Sequence, residues 1–364
     1  MTEEMNALPS AQKKTRLFRA WSSGYPVWCA WQVTYRCSFR CRFCNYWHDP
    51  MGRQPEAPVA QYALGAQKLA KLGTLLVSLA GGEPLLREDL PQIVEAVGRW
   101  HFPFVTTNGW FATPAVADDL MRAGLWGVSV SIDYADPAAH DRQRGIDGAW
   151  EQAWRAVELF GAARRHKWQR VNVMAVLMDD NLDQIEPLLD MAARRNAYFM
   201  VQPYGCLKTG SSGHTCRQEG VSARLLELRR RYPNFLSNPV YLGKFDQFLS
   251  GGVAGCRAGR AFFNIDSAGD VAMCVERRSD PVGNLYRQPI ITLMGALKRA
   301  SRHNPCTSCW YNCRGEVEML YGPRSLVASL PTLLLDRGRA PAVTAPGTIA
   351  LAEVMVAAQA GGRG

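Results

Sequence analysis

No apolar run in this sequence reaches the ~18 residues that cross a bilayer as a helix. The opening stretch, MTEEMNALPSAQKKTRLFRAW, has no apolar signal-peptide core, so the expected location is the cytoplasm. Acidic side chains are the minority charge, 32 Asp and Glu against 42 Lys and Arg, which leaves a formal net charge of +10. That excess is spread along the chain and no nucleic-acid motif accompanies it. A basic surface without a nucleic-acid partner is therefore expected. Histidine is scarce: His48, His101, His166 and His303 do not cluster with carboxylates, and none is assigned to catalysis. Eleven cysteines in 364 residues are too few for a disulfide scaffold. No internal repeat is visible. The length allows one large domain, or one large and one small.

The cysteines that are present are clustered. Eight of the 11 fall into two groups, Cys37/Cys41/Cys44 and Cys256/Cys274/Cys306/Cys309/Cys313, while Cys29, Cys206 and Cys216 lie outside both. Clustering of this kind, without an export signal, points to metal binding rather than disulfides. The first group, in RCSFRCRFCNYW, is spaced C-x3-C-x2-C. Three thiolates on one short loop suit three irons of a [4Fe–4S] cube and leave the fourth open to bind a ligand. A structural zinc site favours C-x2-C knuckles with a second pair downstream, which this triplet fits poorly.

The triplet resembles the signature of the radical S-adenosylmethionine (radical SAM) superfamily. In that family an aromatic residue usually precedes the third cysteine, here Phe43. The resemblance implies that the open iron is chelated by SAM, that one electron cleaves SAM to methionine and a 5′-deoxyadenosyl radical, and that this radical takes a hydrogen from the substrate.

Along the chain, a basic lead (1–28) ends in Trp21, Tyr25 and Trp28. It suits packing against the bottom of a domain or, as the alternative, contact with a membrane surface. Strands are expected at 31–35, 75–79, 104–107, 127–132, 171–177 and 198–202. Cys29, ahead of the first, is expected to be a packed core cysteine. Helices are expected between the strands, at 60–72, 88–100, 114–123, 150–165 and 182–195. Alternation of this kind implies right-handed βαβ units and a parallel sheet. The span is short of the ~250 residues of a closed eight-stranded barrel. The fold class is therefore α/β, with 29–204 a partial (β/α)6 barrel, which is also what the resemblance implies. Residues 205–254 connect, with a charged helix at 221–231 whose Arg229–Arg231 run reads as a solvated face. A small unit follows at 255–316. The tail, 317–364, starts with apolar helical stretches and becomes Ala/Pro/Gly-rich; partial disorder is expected there.

Ligands of parallel α/β folds sit at the carboxyl ends of the strands. Gly81-Gly82-Glu83-Pro84 ends the second strand, its glycines permitting positive φ and close approach to a ligand. Thr107 and Asn108 end the third strand, Ser131 and Asp133 the fourth, and Gln202, with Tyr204, the sixth. The resemblance implies that Glu83 and the GGEP backbone bond the SAM amino group and that Arg144, in HDRQRG, reaches its carboxylate, a pairing the planar guanidinium suits. An ordinary loop cap or surface pair is the plainer reading of each residue.

In the second group, Cys256 and Cys274 are separated by 12 residues, Gly269 and four more, with a hairpin expected at 262–274. Cys306-x2-Cys309-x3-Cys313 follows. The order resembles the SPASM/twitch extension of the radical SAM family. Five thiolates complete one [4Fe–4S] cube but not the two clusters of a full SPASM module, so a twitch-like unit with one auxiliary iron–sulfur cluster is expected. A zinc ribbon is the alternative, and participation of Cys206 or Cys216 would create a second, partly open cluster. The resemblance further implies a reductant such as flavodoxin or ferredoxin. Its substrates include peptides, with small molecules, tetrapyrrole side chains and lipids as alternatives; peptide or protein maturation ranks first. The rivals are a non-catalytic zinc-binding protein and a relative that binds SAM without cleaving it.

Overall fold

A computed structural model describes residues 10–48 and 55–322. The chain starts with α1 (Ser10–Ser22), which caps the bottom of the molecule: the Arg16 guanidinium donates to the carbonyl of Ala70 at 2.5 Å and the Trp21 indole to that of Leu320 at 3.0 Å. Six strands then alternate with helices. They are β1 (Trp28–Thr34), α2 (Val59–Leu69), β2 (Leu76–Gly81), α3 (Leu90–Gly98), β3 (Phe102–Thr107), α4 (Pro114–Arg122) and β4 (Gly127–Ser131), then α5 (Pro137–Arg144), α6 (Ala149–Ala163), β5 (Arg170–Leu177), α7 (Ile185–Arg194) and β6 (Tyr198–Pro203). All six strands pair in parallel with their neighbours in sequence.

The strands are built on a period of two. On β1, Cys29, Trp31 and Val33 are fully buried against the helices, and Trp31 packs on Tyr62 of α2. Trp28, Ala30 and Gln32 point the other way, into a lumen of about 470 Å³. Leu76, Ser78 and Ala80 of β2 and Arg170, Asn172 and Met174 of β5 repeat the pattern.

Residues after β6 close the open side. Helices α8 (Val221–Arg231), α9 (Pro239–Leu242) and α10 (Phe245–Gly251) lead to β7 (Phe262–Ile265), which lies parallel to β1 with Trp28 opposite Phe262. β8 (Asp270–Ala272) and β9 (Gly283–Asn284) turn back antiparallel. One nine-stranded sheet therefore runs β6-β5-β4-β3-β2-β1-β7-β8-β9. After α11 (Ile290–Ala300), α12 (Asn312–Glu318) packs beside β1 and β7 and turns Asn312, Cys313 and Glu316 toward the lumen.

Several expectations change. The lead holds a helix, and β1 begins at Trp28, so Cys29 lies within the strand, fully buried. The HDRQRG segment is the end of a helix, α5, capped by Asp136 and stopped by Gly145 at φ +75°. Arg229 is not on a solvated face: it is buried, and its guanidinium donates to the Ser237 carbonyl at 2.7 Å. Residues 1–9 of the lead and 323–364 of the tail lie outside the described residues. No helix among the described residues is long and apolar enough to cross a membrane.

Candidate functional site

The cysteine loop leaves β1 at Thr34 and crosses the carboxyl ends of the strands. Two neighbours hold its backbone. On one side Gly82 N–H donates to Thr34 O at 2.9 Å and Glu83 N–H to Arg36 O at 2.8 Å. A Cβ on Gly81, where φ is +139°, would lie 1.9 Å from Thr34 O, and one on Gly82 would lie 2.1 Å from Arg36 O. The glycine pair thus admits the cysteine loop itself, a closer constraint than the ligand approach read from the sequence. On the other side Arg42 N–H donates to Gln143 O at 3.0 Å, at the end of α5.

Between these supports lies a cavity of about 220 Å³. Cys37, Cys41, Phe43 and Cys44 line it, with Gly81, Gly82 and Glu83 from the end of β2, Thr107 and Asn108 after β3, Ser131, Arg144, and Gln202 with Tyr204 from the end of β6. Pro84 and Asp133 do not line it. Pro84 starts a short 3-10 turn behind the wall. Asp133 is fully buried, forms an ion pair with Arg144 at 2.6 Å and accepts from Val176 N–H at 2.9 Å. Burial opposes the carboxylate and raises its pKa, while the Arg144 guanidinium acts against that. The same guanidinium lies 5.1 Å from the Phe43 ring centre. Arg144 therefore ties α5, the end of β4 and the cysteine loop together. Glu83 is similarly occupied: it accepts from Leu85 N–H at 2.9 Å, Thr107 Oγ1–H at 2.7 Å and Asn108 N–H at 2.7 Å, knotting β2 to β3.

The thiols fit an iron–sulfur cluster. Burial pushes Cys37 up to about 11 and Cys41 up to about 12, with Arg144 partly offsetting the second. Thiols that weak as acids are protonated at neutral pH, and iron binding supplies the positive charge a thiolate needs there. Among the described residues no three His, Cys, Asp or Glu side chains converge to hold a single metal ion.

All five cysteines of the second group, Cys256, Cys274, Cys306, Cys309 and Cys313, line another cavity, of about 180 Å³. The Cys256 thiol bonds to Cys306, which lowers the pKa of Cys306 and raises that of Cys256. Cys206 and Cys216 do not line this cavity. Arg314 holds its wall. Fully buried, it donates to the carbonyls of Cys309 at 2.7 Å and Val253 at 2.5 Å and pairs with Glu318 at 3.2 Å.

Two residues not singled out in the sequence join these spaces. Tyr311 lines both cysteine cavities and the lumen. A Cβ on Gly205 would lie 2.4 Å from its hydroxyl, so only glycine there admits the ring. Lys208 lines the first cavity and the lumen, pairs with Glu276 at 2.8 Å and sits 4.6 Å from the Tyr46 ring centre. Neither belongs to a motif. A lone tyrosine and a lone lysine carry no spacing signal, and only the fold brings them in.

Residues 31–192 match the family described as the Radical SAM superfamily. The chain is 28% identical over 327 residues to PqqA peptide cyclase of Methylobacterium sp. (strain 4-46), covering 82% of this chain and 83% of that protein. It is 27% identical over 292 residues to mycofactocin maturase MftC of Mycolicibacterium smegmatis (strain ATCC 700084 / mc(2)155), covering 78% and 69%. Among solved structures, Streptococcus suis SuiB bound to the precursor peptide SuiA superposes with a TM-score of 0.59 at 18% identity, a likeness of fold. That match covers 74% of this chain and 65% of SuiB.

Proposed function

We propose that the chain, whose residues 31–192 match the Radical SAM superfamily, is a radical SAM enzyme that matures a peptide. The carrying observation is that three clustered cysteines and the carboxyl ends of β2, β3, β4 and β6 line one cavity. Bound there, a [4Fe–4S] cluster and SAM supply a 5′-deoxyadenosyl radical, which takes a hydrogen from the substrate. Cys37, Cys41 and Cys44 hold the cluster. Phe43, Gly81, Gly82, Glu83, Thr107, Asn108, Ser131, Arg144 and Gln202 surround SAM, and Pro84 and Asp133 position this wall from behind. Four of Cys256, Cys274, Cys306, Cys309 and Cys313 suffice for an auxiliary iron–sulfur cube. The expected boundaries at 28/29 and 316/317 fall inside β1 and α12, so the proposed division is a lead that ends before β1, a barrel from β1 to β6, a connection with α8 to α10, and a cysteine unit that runs through α12. A flavodoxin or ferredoxin is the proposed reductant, and the cytoplasm the proposed location.

A peptide substrate is favoured by the relatives. One is named a peptide cyclase, another a maturase, and SuiB is bound to a precursor peptide.

The test is anaerobic reconstitution with iron and sulfide, then SAM and dithionite, with and without extract of the source cells. Wild type is expected to release 5′-deoxyadenosine, and the Cys37→Ala/Cys41→Ala/Cys44→Ala variant is not. A wild type that carries its full iron yet releases none under either condition overturns radical chemistry. Mass spectrometry of a deletion strain addresses the substrate: a changed peptide is expected, and a changed pigment or lipid with every peptide intact overturns peptide maturation.

A further inference from the structure

The lumen runs below the cysteine cavity. At about 470 Å³ it falls within the roughly 300–1,000 Å³ of small-ligand pockets. Met174 of β5 lines both spaces and marks the level at which they meet. Arg170 begins the same strand and lines the lumen at its floor, ~13 Å below Met174 at a strand's rise of about 3.3 Å per residue.

Three charged side chains line the lumen, Arg170, Lys208 and Glu316. Lys208 pairs with Glu276 at 2.8 Å, and the Glu316 carboxylate accepts from Asn238 N–H at 3.0 Å. Arg170 differs from both. Its guanidinium lies 5.2 Å from the Trp126 ring centre and 5.8 Å from that of Tyr198. Beyond these rings its side chain has no ion pair and no hydrogen bond among the described residues. None of its guanidinium nitrogens is buried, so its N–H groups reach open space. Aromatic rings attract the cation without using up the fork of donors that a guanidinium presents. Trp28, Phe104 and Met200 make the surrounding wall apolar, and in such a wall opposite charges attract more strongly than in water. The lumen therefore carries one cation that the protein holds in place and leaves without a counter-charge.

We infer that Arg170 is a carboxylate-binding site at the lumen floor, and that the substrate peptide brings a carboxylate to it, from an acidic side chain or from its carboxyl terminus. This rests on the peptide-maturing reading and adds which peptides. The planar guanidinium pairs with both oxygens of a carboxylate, a geometry that a point charge does not match. A carboxylate seated there anchors one end of the substrate. From the anchor to Met174 is about four residues of extended chain at roughly 3.3–3.6 Å each. The anchor thus sets which residue of the peptide stands at the mouth of the cysteine cavity.

The probes are four N-acetylated dipeptides in two matched pairs. Leucyl-glutamate amide is set against leucyl-glutamine amide, and leucyl-leucine with a free carboxyl terminus against its own amide. Each is titrated anaerobically by calorimetry into the reconstituted full-length protein with SAM. In at least one pair the acid is expected to bind at least about tenfold tighter than its neutral counterpart, the scale of one charge-assisted hydrogen bond. The pair that shows this names the source of the carboxylate. Arg170→Met is expected to abolish the preference and leave binding of the neutral member unchanged. Arg170→Lys, which keeps the charge and loses the fork, is expected to reduce the preference to a few-fold. Circular dichroism establishes that each variant is folded. Should Arg170→Met fail to fold, Arg170→Lys decides.

Equal binding of acid and neutral members in both pairs, no binding of any probe, or a preference that the folded Arg170 variants keep in full overturns the inference. The same wild-type preparation is assayed for 5′-deoxyadenosine, with and without extract of the source cells. Release without the expected preference overturns the lumen inference alone, and absence of release overturns the reading beneath it.

Discussion

Arg144 and Asp133 are the pair on which the site's geometry turns. Both are buried, and their side chains meet at 2.6 Å. Removing one partner of such a pair leaves the other charge without compensation, which costs about 3–5 kcal/mol. Asp133→Asn is expected to lower the unfolding free energy read from urea titration by an amount in that range, seen as a lower midpoint, and to release Arg144 from the Phe43 ring. An unchanged midpoint would mean that solvent reaches the guanidinium. His101 is a second buried titratable residue, far from the cysteines in role. It accepts from Leu75 N–H at 3.1 Å through Nδ1 and bonds the Ala66 carbonyl at 2.9 Å through Nε2. Burial lowers its pKa from 6.5 to about 4, with the Ala66 carbonyl acting against that and nearby Lys13 and Arg16 reinforcing it. The unfolded chain therefore takes up a proton that the folded chain refuses. Above about pH 6.5 the residue contributes nothing to the pH dependence, and as pH falls from there toward 4 it removes up to about 3 kcal/mol. Denaturation midpoints measured at pH 7 and pH 5 should differ more for wild type than for His101→Gln. Equal differences would place the acid sensitivity elsewhere.

At the scale of elements, the docking of the cysteine loop on the β2 end is testable apart from the cysteines. Gly81→Ala puts a methyl group 1.9 Å from Thr34 O, against backbone rather than a yielding side chain, at a φ of +139° that disfavours any other residue. The expected result is a folded protein that loses about four irons per chain on reconstitution, because the loop no longer seats its three thiols together. Full iron content would show that the loop docks independently of the glycines. The six strands were legible because their apolar outward faces alternate with smaller or polar inward ones, as along Trp28–Thr34 and Arg170–Leu177. α5 was not, because PAAHDRQR is polar and only His140 and Arg144 of it are buried. Trp28 looked like the end of the lead, and Cys29 like a residue ahead of the first strand, because the strand they join has a partner, β7, that lies far along the chain. The cysteines and GGEP announced the site by spacing. That Asp133 stands behind Arg144, and that Tyr311 from α12's cap meets Lys208 from the connection, depends on distances that only folding creates.

For the whole molecule, the sheet order joins the small cysteine unit to the barrel by backbone hydrogen bonding rather than by a surface contact. Removing it leaves β1 with an open edge of unpaired N–H and C=O groups and uncovers the lumen that α12 closes. A chain ended at residue 254 is therefore expected to aggregate on expression, as measured by its soluble fraction, whereas a soluble monomeric fragment would show that β1 manages as an edge. The pairing of Trp28 with Phe262 also fixes an order of events during synthesis. β1 leaves the ribosome ahead of β2 to β6 and receives β7 only after the whole barrel sequence has emerged. Until then the nascent chain carries a sticky strand and the three thiols of Cys37, Cys41 and Cys44 side by side. The growing polypeptide is thus open to mispairing at that strand, and to oxidation at those thiols, until β7 arrives.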